Sequence, residues 1–289
     1  MTNQTSDSQQ HIFAHLSELR TRLLWSLVVM AAASILSYLF VKDIYGFLVK
    51  PLAQAMGPQD SQRLIYTDLT EAFFTYIKVA IFTGCFITFP FILMQIWRFV
   101  SPGLFSHEKN TLLPFLIGAP VLFFLGGSLV YFFILPVAFK FFLSFQSTGD
   151  QTVLPIMLEA KVGEYLDLIM VLIFAFGICF QLPVIMGILA KGGLVTPKFL
   201  AEKRRYAIVI IFTIAAFITP PDVISQISLA IPLMGLYELS ILLVKYMNRH
   251  EPPAPPSDGQ SLEVKPETGQ ETGPETKLKS GPESGPESR

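Results

Sequence analysis

The residues with the clearest chemical purpose stand together near the amino terminus: His15, Leu16, Ser17, Glu18, Leu19, Arg20, Thr21 and Arg22, directly before a long apolar stretch. A carboxylate at the edge of such a stretch can accept two parallel hydrogen bonds from a guanidinium, a geometry that favours arginine over lysine. Spacing alone leaves two readings of Glu18. It pairs with Arg22, four residues on along a helix, or it receives a cation from another molecule. A second carboxylate, Glu108, falls in a short connection on the same side of the topology derived below, so a fold can bring the two together.

Other chemistry has little foothold. Cys85 and Cys179 lie in the middle of apolar stretches, too isolated for a disulfide framework or a zinc site, and read as packing residues. His11, His15, His107 and His250 fall outside the apolar stretches, which argues against a haem held between helices. Lys191, Gly192 and Gly193 lack the strand and helix that a phosphate-binding loop needs. No metal, cofactor or nucleic acid is expected, and any work must draw on a partner or on the membrane potential.

The elements that position these groups follow from composition. The chain is 52% hydrophobic and 15% charged, and its apolar residues gather in blocks too continuous for a soluble core. The expectation is an all-α integral membrane protein with six transmembrane helices, at about 23–41, 73–97, 111–135, 166–190, 206–219 and 224–244. The fifth and sixth are short against a hydrocarbon core of about 30 Å. They form either one re-entrant hairpin or two spans that thin the bilayer, and the polar turn Pro220-Pro221-Asp222 favours two spans. Arg20, Arg22, Arg98, Lys109, Lys191, Lys198, Lys203, Arg204, Arg205, Lys245 and Arg249 fall on one side in short segments. The positive-inside rule makes that side, and both termini, cytoplasmic. The first stretch is too long for a cleaved signal and has Ala31, Ala32 and Ala33 in its middle, so it reads as a retained span. From Glu251 to Arg289 the sequence turns to Pro, Gly, Glu, Ser and Thr, which reads as a disordered cytoplasmic tail.

Two long external loops carry apolar residues. Ile44, Phe47, Leu48 and Leu52 suit a helix lying at the interface, which Pro51 ends or kinks, and Phe139, Phe141, Phe142 and Phe145 repeat the device in the second loop. Such loops are expected to fold into a cap that either shields helix ends or lines a translocation path. Within the spans, Lys78 suits an anchor snorkelling to the outer surface. Gln181 and Glu238 either join helices by hydrogen bonds or serve a path, and Glu238 must lie near the interface, be protonated or be paired. Pro90 and Pro183 predict kinks that open a concave face. An edge left by the short last spans, with Ile227, Ile231, Met234 and Leu236 as its apolar face and Glu238 beside it, suits docking of a partner helix.

Three segments together resemble one family: His15-Leu-Ser-Glu-Leu-Arg20; Gln95-Ile-Trp-Arg-Phe-Val-Ser-Pro-Gly-Leu104 with His107-Glu108; and Thr219-Pro-Pro-Asp-Val-Ile-Ser-Gln226. They resemble the TatC family, the multispanning receptor subunit of the Sec-independent twin-arginine protein translocase. Glu71 to Lys78 and Phe180 to Val184 are similar too, and the likeness runs from about His11 to Arg249. It implies a concave, glove-like six-helix fold in the bacterial cytoplasmic (inner) membrane. It implies binding of twin-arginine signal peptides of folded cargo, recruitment of single-span TatA-type and TatB-type partners, oligomers, and export driven by the proton-motive force, with no enzymatic step. By the same resemblance Glu18 and Glu108 engage the two arginines, with Arg20 and Phe99 bordering that surface and His15 and Arg22 in the same segment. Pro51, Asp68, Pro90 and Asp222 match other sensitive positions. Gln181 stands where some members carry Glu, and it can take up no proton.

Two rivals from other classes remain at this point. A secondary transporter of a small solute needs more midplane ligands than Gln181 and Glu238 supply, and an intramembrane enzyme needs a nucleophile, metal cluster or paired carboxylates within the bilayer.

Overall fold

The computed structural model describes residues 4–57, 63–104, 109–147, 157–219 and 223–248. Among these residues the secondary structure is helical throughout apart from one isolated bridge. The elements are α1 (Gln4–Leu39), α2 (Val41–Met56), α3 (Glu71–Leu104), α4 (Lys109–Leu129), a π turn (Val130–Ile134), α5 (Leu135–Leu143), α6 (Val162–Cys179), α7 (Leu182–Lys191), α8 (Pro197–Glu202), α9 (Arg204–Ile218) and α10 (Val223–Asn248). Five helical runs are long and apolar enough to cross a membrane: Ser17–Leu39, Glu71–Ile96, Ile117–Leu143, Val162–Lys191 and Ser225–Met247. α9, with 15 residues, is about 22 Å long and falls short, as its sequence implies.

Three expectations need correction. The last helix is not short: α10 has 26 residues, because a single Lys245 at the end of an apolar run does not stop a helix that continues to Asn248. Phe139, Phe141 and Phe142 are not loop residues but belong to α5, which carries the third crossing on through the π turn. Pro51 does not end α2. It lies buried inside one helix that continues to Met56.

Prolines have unequal effects. α3 runs unbroken through Pro90. At Pro183 the chain does break: α6 stops at Cys179, Phe180 and Gln181 form a turn, and Pro183 sits in the first turn of α7, where its missing N–H costs least.

Helices meet where side chains are small. A Cβ on Gly84 of α3 would come within 2.6 Å of the Ser34 Cα of α1, so these two helices touch backbone to backbone. The Ser34 hydroxyl donates to the Met30 carbonyl at 2.8 Å, and Thr88 donates to Gly84 at 2.7 Å, which satisfies both hydroxyls within their own helices. Close approach of this kind supplies packing where lipid removes any hydrophobic drive between helices. The larger core lies among the π turn, α5, α6 and α10, with Leu135, Leu166, Ile169, Phe176 and Leu229 fully enclosed.

The loops after α2 and α5 are tied together. Ile65 and Lys161 pair as a bridge: Ile65 N–H donates to Ala160 at 3.1 Å and Val162 N–H to Ile65 at 2.9 Å. Glu71, at the start of α3, accepts from the Thr67 N–H through one oxygen and from the Gly163 N–H through the other, both at 2.9 Å. This is the cap expected of the long loops.

Candidate functional site at the α1 and α3 surface

Glu18 lies on α1 one turn before Arg22, and a helix puts both on one face. Arg22 donates to the same Glu18 oxygen, Oε1, from Nε at 3.1 Å and from Nη2 at 2.5 Å. Its other nitrogen, Nη1, donates to the Gln95 Oε1 of α3 at 3.2 Å. The guanidinium therefore clips α1 to α3 and fixes Glu18 beside the junction. The Glu18 side chain stays 44% exposed. Arg20 and Glu18 both face the surroundings, and Phe99 is half-buried toward the end of α3. A carboxylate with one oxygen engaged and its side chain half exposed can still accept a second guanidinium.

His15 lies within α1. Glu108 and Asp222 lie outside the described residues. Gln95 carries no role in the motif read from the sequence, since its contact with Arg22 depends on the pairing of α1 with α3, which periodicity does not reveal.

The remaining sequence candidates are separate from this surface. Asp68 accepts the Thr70 N–H on Oδ1 at 3.3 Å, and its carbonyl accepts the Glu71 N–H, so it caps the entry to α3. Gln181 is 4% exposed at the break between α6 and α7. Its Nε2 donates to the Ala119 carbonyl at 3.0 Å and to Gly177 at 3.3 Å, joining α4 to α6, while its Oε1 has no partner among the described residues. Glu238 is paired, accepting from Arg204 Nη2 at 2.8 Å. Lys78, expected to snorkel to the outer surface, donates to Asp167 Oδ2 at 2.6 Å and so links α3 to α6. On α10, Ile227 and Ile231 are exposed and Met234 is half-buried, but Leu236 is buried and does not belong to that face. Among the described residues no group of three His, Cys, Asp or Glu side chains is placed to hold a metal.

A family model, Sec-independent protein translocase protein (TatC), matches residues 14–232. The chain belongs to the TatC family. A TatC protein from Magnetococcus marinus is 48% identical over 235 residues, covering 81% of this chain and 84% of the relative. One from Rickettsia prowazekii is 44% identical over 233 residues, covering 81% and 92%. A crystal structure of the twin-arginine translocase receptor TatC superposes with a TM-score of 0.71 at 39% identity, covering 81% of this chain and all of that one. As a TatC-family member the chain is a multi-pass membrane protein of a protein-transport system and not an enzyme.

Proposed function

We propose that this chain is the receptor and core subunit of a twin-arginine translocase, binding the paired arginines of signal peptides on folded cargo and recruiting single-span TatA-type and TatB-type partners. The observation that carries the reading is the half-exposed Glu18 carboxylate, held through one oxygen by Arg22 at the end of a membrane-crossing helix that Gln95 ties to α3. Charge-assisted, two-pronged bonding to an incoming guanidinium suits that carboxylate, and Glu108 is its proposed counterpart for the second arginine. Arg20 and Phe99 border the site.

In this reading the Glu18 end and both termini face the cytoplasm, the protein sits in the bacterial inner membrane, and α9 serves as the sixth, undersized crossing. Residues 251–289, read from the sequence as a cytoplasmic tail, lie outside the described residues. Partner helices dock on α10 near Met234 and Glu238, and copies assemble into an oligomer. Export draws on the proton-motive force, but no proton is taken up at Gln181, because an amide does not titrate.

The test is capture of the full chain from mild detergent by a paired-arginine peptide against a paired-lysine control. Retention by the first and not the second is expected. Equal retention overturns the reading.

A further inference from the structure

A cavity of about 470 Å³ lies at the end of the molecule opposite Glu18, between α2, α3 and the π turn. That size falls in the range of roughly 300–1,000 Å³ typical of small-molecule sites. Ile44 and Phe47 of α2 form one wall, Phe82 and Phe86 of α3 another, and Phe132 closes the side of the π turn. Phe47 and Phe132 are 54% and 63% exposed, so the mouth opens sideways at the depth of the membrane-crossing helices and not into a closed core.

The polar groups of the lining have one sign. Thr83 spends its hydroxyl proton on the Val79 carbonyl at 2.8 Å, Ser128 on Phe124 at 2.7 Å and Tyr131 on Phe47 at 2.8 Å. Each keeps only acceptor capacity. Phe86 stands four residues before Pro90, so its carbonyl does not receive the usual N–H from four residues on. The single charged side chain in the lining is the Asp43 carboxylate, in the first turn of α2, and it makes no ion pair among the described residues. The site is thus apolar, rich in acceptors and negative at its rim, with no cation in its lining to favour a headgroup of net negative charge.

We propose that this cavity holds one phospholipid with a primary-amine headgroup, its ammonium on Asp43 and an acyl chain along Phe47, Phe82 and Phe86. An ammonium brings three donors to a lining that offers only acceptors. An apolar peptide helix fills the volume as well but leaves the carboxylate unmatched, and an anionic lipid is repelled by it. The inference does not rest on the signal-peptide reading, since Asp43 and Glu18 lie at opposite ends of α1 and its continuation into α2.

The full chain is reconstituted in vesicles containing acyl-diazirine phosphatidylethanolamine or the same acyl chain on phosphatidylglycerol, irradiated, and mapped by mass spectrometry. Adducts on residues 82–86 and 127–132 are expected to be at least fivefold more frequent with the ethanolamine lipid. Asp43→Asn should erase that preference while leaving capture by a paired-arginine peptide unchanged. Ser128→Leu, which fills the cavity instead of altering its charge, should remove these adducts for both lipids and leave those on the exposed α1 residues Leu24 and Val28 unaltered. Equal labelling by the two lipids in the unaltered protein, a preference that survives Asp43→Asn, or lipid adducts displaced by an added signal peptide that itself crosslinks to Phe82 and Phe86, each overturns the proposal.

Discussion

Tyr131 supplies the hydrogen bond that Pro51 withholds. A proline at position 51 has no N–H for the Phe47 carbonyl one turn earlier, and the Tyr131 hydroxyl of the π turn donates to that oxygen at 2.8 Å. The Phe47 and Tyr131 rings stack at 4.4 Å beside the bond. This explains why α2 continues through Pro51 without a break, and it ties the cap helix to the third crossing.

Tyr131→Phe should therefore destabilise the protein by about 1–3 kcal/mol, the cost of leaving a shielded carbonyl unmatched. In a Pro51→Ala background the helix supplies its own N–H, so the same substitution should cost less than about 1 kcal/mol, as for an ordinary hydrogen bond. Denaturant unfolding of the four proteins of this cycle in detergent measures the coupling. Equal costs in both backgrounds would show that the hydroxyl does not replace the missing bond.

This pairing also marks the limit of what the sequence reveals. The apolar blocks, the amphipathic α2 and the short α9 were legible because each is a local pattern of hydropathy. The fate of each proline was not. Pro51, Pro90 and Pro183 look alike in the chain, yet only the last breaks its helix, and the Tyr131 hydroxyl that takes over the carbonyl freed by Pro51 comes from a distant segment. Leu236 was placed on an exposed face with Ile231, but five positions along a helix turn a residue by about 140° away from the first, which carries it into the core. At the candidate site the Glu18 and Arg22 pair was readable from spacing. Its attachment to Gln95, and the pairing of Lys78 with Asp167, join residues far apart in sequence and required the packing of α1 and α6 on α3.

The close approach of α1 and α3 predicts an asymmetry between two glycines. Gly84→Ala places a methyl group against the Ser34 backbone, which cannot swing aside as a side chain does, and should cost about 1–3 kcal/mol through overpacking. Gly46→Ala meets nothing within 4 Å in the middle of α2 and should be neutral or stabilising by up to about 1 kcal/mol. Thermal unfolding of both variants checks the order, and a Gly84→Ala protein as stable as the parent contradicts the observed contact.

On α10 the exposed side is set by Ile227 and Ile231, with Met234 at its edge. In a background lacking Cys85 and Cys179, single cysteines at Ile231 and Met234 should form disulfides with a cysteine in the apolar segment of a single-span partner. A cysteine at buried Leu236 should not. Crosslinking at Leu236 and not at Ile231 reverses the face and removes α10 as the proposed docking edge.

The receptor reading makes its sharpest demand on Glu18. A charge-assisted bond to one signal arginine contributes roughly 1.5–3 kcal/mol when partly shielded from water, so Glu18→Gln should weaken binding of a paired-arginine peptide by about tenfold to a hundredfold. The substitution keeps the shape of the side chain, and the contact between Arg22 and Gln95 that clips α1 to α3 remains, so folding and insertion should be little changed. Loss of affinity alone does not separate direct contact from a disturbed Arg22. The decisive measurement is a double-mutant cycle between Glu18→Gln and a peptide with one arginine replaced by glutamine, repeated for Glu108→Gln. If each carboxylate holds one arginine, Glu18 couples strongly to one peptide position and Glu108 to the other, and a peptide already lacking its arginine binds both forms of the protein alike. Coupling near zero at both carboxylates, in protein shown to be folded, leaves Glu18 as no more than the intrahelical partner of Arg22.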